Sequence, residues 1–300
     1  LPVSERVFLM LGYANFLLEA GAQLEATPAL KQILEEEPGN LPATDRLLGI
    51  YQQHSMHGEF AELLQQQFDR ARDERNLVAI SELALRLGAA YGGRNPDAAA
   101  DAYRAALEWD QSHRALLQAL LGVLPPDTDP RERAELMLRL LKTESGLHAG
   151  AMADNLADTF ATFEDDERVL EALQLGVAAC PEDRDLRQRL EQYYSEREQW
   201  RPLAELMMTE AGRLGAGSDA IACCKQAAAL YRDKLGDVDG SAEALRAALA
   251  LSPNDSSLLA EHARNLAAAG KHEAAIEDIG RLLEAHGLGD ASRVDLLRVR

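Results

Sequence analysis

The chain returns to the same residue pattern at a fixed interval, and this limits its fold more than any single motif does. Leu87-Gly88-Ala89-Ala90-Tyr91, followed by Ala99, Tyr103, Ala106 and Leu107, is matched about 140 residues on by Ala227-Ala228-Ala229-Leu230-Tyr231, with Ser241, Leu245, Ala248 and Leu249 behind. An intermediate copy lies at Leu156, Ala157, Phe160, Val169, Leu173 and Val177. The helix breakers keep step: Pro181 and Pro253 are 72 residues apart, and Pro38 and Gln111, which fills the proline slot of its copy, are 73 apart. Tyr194 and Trp200 return as Leu266 and His272, again 72 residues on. The half-period, about 36 residues, is the length of one helical hairpin.

The local grammar is helical. Apolar residues recur three and four apart, as in Leu47, Leu48 and Tyr51 or Leu136, Leu140 and Leu141, and no stretch alternates as a strand would. Breaks carry cap chemistry: Asn95 before Pro96, Asp129 before Pro130 and Glu132, and Gly58, Gly236 and Gly270 placed between helices. Short polar linkers force consecutive helices to pack antiparallel. The reading is an all-α, right-handed α-solenoid of about eight stacked helix pairs, at residues 4–38, 41–74, 75–111, 112–145, 147–181, 183–214, 217–253 and 256–287. Residues 291–300 begin a ninth pair, in which Leu296, Leu297 and Val299 form an uncovered apolar face. That exposed end implies a single continuous array cut from something longer, or self-association through the edge.

These residues resemble the tetratricopeptide repeat family along nearly the whole chain. Its signature positions are met in the third repeat by Leu87, Gly88, Tyr91, Ala99, Tyr103, Ala106 and Leu107. The seventh supplies Tyr231, Ala248, Leu249 and Pro253, the eighth Ala263, Gly270, Ala275 and Leu283, and the first Ala14, Gly21, Ala26, Leu34 and Pro38. Departures are expected to alter packing or lengthen loops: His54-Ser55-Met56-His57 in repeat two, Pro125-Pro126 in repeat four and Gly215-Ala216-Gly217 after repeat six.

Charge excludes one class of partner. With 31 Lys+Arg against 50 Asp+Glu the net charge is −19, so the chain repels the phosphate backbone of nucleic acids. No apolar run reaches the roughly 18 residues a membrane span needs. Three cysteines, Cys180, Cys223 and Cys224, make no disulfide framework and suit a cytoplasmic setting, with a periplasmic one as the alternative if an export signal was removed.

Reactive constellations are weak. His54 and His57 with Glu59 lack a third ligand and a zinc spacing, which favours an interhelix turn over a metal site. Cys223 and Cys224 beside Lys225 invite a depressed thiol pKa, yet no histidine base is near, and small packing residues are the better reading. Gly215-Ala216-Gly217 follows helix and lacks the end of a phosphate loop. Glu164-Asp165-Asp166-Glu167 reads as solvated surface. No catalytic residue, metal or cofactor is expected.

The resemblance then implies a concave wall built from first helices, receiving a peptide or helix of a partner protein. Its candidate lining is Asn15, Gln52, Arg86, Asp154, Asp158, Arg189, Gln192, Lys225, Arg232 and Arg264. The Lys and Asn clamp of chaperone-binding members is missing, since the matching places read Ala260 and Arg264 or Asp154 and Asp158. A non-catalytic interaction scaffold is the leading expectation. The alternative is a recruiting region of a larger enzyme or export assembly.

Overall fold

A computed structural model describes residues 2–285, and those residues fold as helices joined by turns, with no strand among them. They divide into two compact units, 1–182 and 183–300.

Unit one holds ten α-helices. The first pair is α1 (Val3–Glu19) with α2 (Gln23–Glu36), and the second α3 (Leu41–Gln53) with α4 (His57–Asp73). The third is α5 (Leu77–Tyr91) with α6 (Pro96–Leu107), and the fourth α7 (Arg114–Val123) with α8 (Pro130–Leu141). The last is α9 (Gly146–Thr162) with α10 (Asp166–Ala179). Unit two holds three pairs: α11 (Arg184–Glu196) with α12 (Trp200–Leu214), α13 (Ser218–Asp233) with α14 (Val238–Leu251), and α15 (Ser256–Ala268) with α16 (His272–Ala285). Within each unit every helix packs on the next in sequence, so the second helix of one pair covers the first helix of the following pair. Residues 291–300, read above as the start of a ninth pair, lie outside the described residues.

Short polar side chains start these helices as the capping rule expects. Asn40 accepts from the Ala43 amide, Asn76 from Ala79, Asn95 from Ala98, Asp183 from Leu186 and Asp255 from Leu258. Asp129 caps α8 through the Arg131 amide.

One turn recurs and corrects the reading of repeat two. After α3 the Ser55 amide donates to the Gln52 carbonyl at 3.3 Å and the Met56 amide to the Tyr51 carbonyl at 2.8 Å, with Ser55 at φ 56°. The same pair of bonds, around one residue of positive φ, forms at Gly21, Arg75, Glu164, Glu198 and Gly270. This Schellman arrangement satisfies the last carbonyls of each helix. His54-Ser55-Met56-His57 is therefore the common turn of the array written without glycine, not an irregular insertion. Gly58, expected between helices, lies in the first turn of α4. The Pro125-Pro126 stretch does disturb its pair, ending α7 after 10 residues.

The signature glycine shows what the pattern is for. A Cβ at Gly88 would fall within the ring of Tyr103 on α6, a ring only 4% exposed. Ala99, Ala228 and Ala275 are buried as well. Of the aromatics expected to fill wedges, Tyr194 is buried, whereas Tyr91, Trp200 and Tyr231 are half-exposed. The Lys234 ammonium sits 4.8 Å above the Trp200 ring.

Candidate functional site

Aligning the first helices on the buried position held by Ala14, Leu48, Gly88, Ala157, Glu191, Ala228 and Ala263 separates packing from surface. Only Glu191 in that set is not fully buried. In all first helices but the short α7, the residues three before, one after and four after this position are never buried. Their spacing places them on one stripe of the helix.

Eight of the ten candidate residues sit on that stripe: Asp154 and Lys225 at its first place, Asn15, Asp158, Gln192 and Arg264 at its second, Gln52 and Arg232 at its third. Arg86 and Arg189 sit one residue off it, turned by about 100°. Asp45, Gln188 and Ser195 belong to the stripe and escaped the sequence reading, although the register of Asp154 and Asp158 would have found them.

The candidates differ in how tied they are. Arg232 donates to Glu261 at 2.7 Å and to both Asp233 carboxylate oxygens at 2.8 and 3.1 Å, so it joins α13 to α15. Those carboxylates hold its guanidinium pKa above the ordinary range. Gln192 bonds Glu196 at 2.7 Å, and the Arg264 guanidinium donates to the Ala260 carbonyl of its own helix at 3.1 Å. Gln52, Arg86, Asp154, Asp158, Gln192 and Arg264 are exposed; Asn15, Arg189, Lys225 and Arg232 are half-buried. Asn15, Gln52, Arg86, Asp154 and Asp158 belong to unit one and the rest to unit two.

Concavities lie beside the second helices. One of about 250 Å³ runs between α2 and α4 over Leu47 and Tyr51, with Lys31, Glu35, Glu59 and Glu62 around it. Lys31 already sits 5.9 Å over the Tyr51 ring.

The reactive motifs resolve into structure. His54 bonds Gln23 across the α1–α2 turn at 3.0 Å, and the described residues contain no group of three or more His, Cys, Asp or Glu arranged to hold a metal ion. Burial pushes the thiols of Cys223 and Cys224 above their ordinary pKa, against the depressed value that Lys225 suggested. No helix of the described residues is long and apolar enough to cross a membrane.

Unit two does contain buried charge that sequence reading missed. Arg187 and Glu210, each 9% exposed at the side chain, pair at 2.7 Å between α11 and α12. Glu210 also accepts two 2.8 Å bonds from Arg213, which chiefly hold its pKa below the ordinary range, with Arg187 adding to the shift. Glu191, on α11 beside this pair, moves the other way, its pKa raised chiefly by burial. An acid whose folded pKa exceeds its unfolded value costs stability when ionised, and the cost is lost as pH falls through the folded value. Glu191→Gln should therefore raise Tm at pH 7, with the gap closing toward pH 4; a gain independent of pH would contradict the assignment.

Helix pairs with small residues under aromatic rings, turned by a repeated Schellman cap, are now in view. No protein-family model matches the chain, and no curated protein matches it. Solved structures do. YrrB, described as a TPR protein with an unusual peptide-binding site, is 18% identical, covering 59% of this chain and 87% of its own, with a TM-score of 0.32. The TPR2AB domain of yeast Sti1 in its pHSP90 complex is 14% identical over 98% of this chain and 97% of its own, TM-score 0.30. MamA from Desulfovibrio magneticus RS-1 is 15% identical over 64% and 97%, TM-score 0.29. The chain is a tetratricopeptide-like helical array. In that array the tetratricopeptide-like positions do the packing, and the first-helix stripe is what they leave outside.

Proposed function

We propose that the chain is a non-catalytic protein-interaction scaffold that holds a peptide or helix of a partner protein against the first-helix stripe. One observation carries this reading: three positions per first helix stay out of the core from α1 to α15, while the positions around them are packed. A surface kept open at the same place in successive repeats can contact an extended ligand many times over. The stripe carries carboxylates at Asp154 and Asp158 in unit one and cations at Lys225 and Arg264 in unit two, which suits a partner of mixed charge.

The test is a copurifying partner identified by mass spectrometry and titrated against two variants. Lys225→Glu/Arg264→Glu and Asp154→Lys/Asp158→Lys should each weaken its binding by about tenfold or more, as loss of charged contacts does. Arg232 is left intact because its clamp on Glu261 joins two helices. Unchanged affinity in both variants would remove the stripe as the binding surface.

A further inference from the structure

The outer face of α1 breaks the burial rule that the other first helices obey. Leu9, Tyr13 and Phe16 are 57%, 57% and 66% exposed. Their counterparts in α3 are Ala43, Leu47 and Ile50, at 0%, 1% and 3%, covered by α2. In α15 they are Leu258, His262 and Asn265, at 0%, 8% and 5%, covered by α14. Phe8, 75% exposed, widens the α1 face, and Gly12 at its centre has nothing within 4 Å of where a Cβ would stand. A contiguous apolar face of this kind marks an interaction site on a folded protein.

We infer that this face is a docking site for an amphipathic helix of another protein, seated as the second helix of a pair seats on the next first helix. The occupant is helical because the face continues the helix-on-helix interface of α2 on α3 and α14 on α15. Its flanks are basic, because Glu5 and Glu19 bound the apolar stripe at either end and the sole cation of α1, Arg6, is paired with Glu36 at 3.1 Å. The same two carboxylates, on a chain of net charge −19, oppose a second copy in that place. The site is separate from the polar stripe of the proposed function and does not rest on it.

The probe is a labelled peptide of residues 238–251, the helix that covers the equivalent face of α15, together with a form carrying Asp239→Lys/Glu243→Lys on its exposed side. The lysine form should bind the chain saturably and at least tenfold more tightly than the parent peptide, with hydrogen-exchange protection confined to residues 3–19. Tyr13→Ser/Phe16→Ser should lower that affinity at least tenfold while leaving Tm unchanged, and Asp154→Lys/Asp158→Lys should leave it alone. Should the serine variant melt lower, the protection pattern on the parent chain decides the matter. Absent or non-saturable binding, protection elsewhere, or equal binding to the serine variant would overturn the proposal. So would a parent chain that sediments as a dimer and becomes monomeric in the serine variant, since the occupant would then be a second copy.

Discussion

Arg187→Met should destabilise unit two by about 3–5 kcal/mol, the ordinary cost of stripping one partner from a buried ion pair. Its guanidinium meets Glu210 at 2.7 Å where both side chains are 9% exposed. The position is one that α5, α9 and α15 fill with the buried apolar Ala84, Ala153 and Leu259. Arg213 remains on Glu210 in the variant, which places the loss toward the lower end of that range. Replacing both members, Arg187→Met with Glu210→Leu, should recover most of the stability, because an apolar pair avoids the desolvation that the charged pair must offset. Chemical denaturation of the three variants checks this. A double variant no more stable than Arg187→Met would mean that the pair does more than compensate its own burial.

Gly88→Leu should cost about 3 kcal/mol, the top of the ordinary overpacking range. The reason is local: the first carbon of any side chain at this position would enter the Tyr103 ring, which is itself packed between α5 and α6. Gly49 supplies the control. It lies inside α3 with nothing within 4 Å of an added Cβ, so Gly49→Ala should gain roughly 0.5–1 kcal/mol from helix propensity. Gly88→Ala carries the same propensity gain and should nonetheless destabilise. Thermal melts that moved Gly88→Ala and Gly49→Ala upward together would show that Tyr103 does not lie across Gly88.

Most of the helices were legible because their signals are local. Asn95 and Asp129 announce the starts of α6 and α8, and the three- and four-residue spacing of leucines gives the faces. The Schellman turn at Ser55 was not legible, because a residue forced to positive φ by its neighbours carries no glycine to declare it. The stripe was largely readable from repeat register, and it slipped at Arg86 and Arg189, where a one-residue error turns the side chain away from its face. Arg232 looked like a free groove cation in the sequence. Its engagement by Asp233 and Glu261 depends on a residue 29 positions along the chain, beyond any local pattern.

The sequence by itself determined that the chain forms helix pairs of about 36 residues, since hydrophobic period, caps and breakers act over a few residues each. The tertiary structure alone decided which outward side chains stay outside. Tyr13 and Leu47 hold the same helix position, and only the presence of α2 on one and the absence of a covering helix from the other makes the first 57% exposed and the second 1%. Burial is a property of what packs against a residue, and for a repeat array that is the neighbouring hairpin, which no residue encodes about itself.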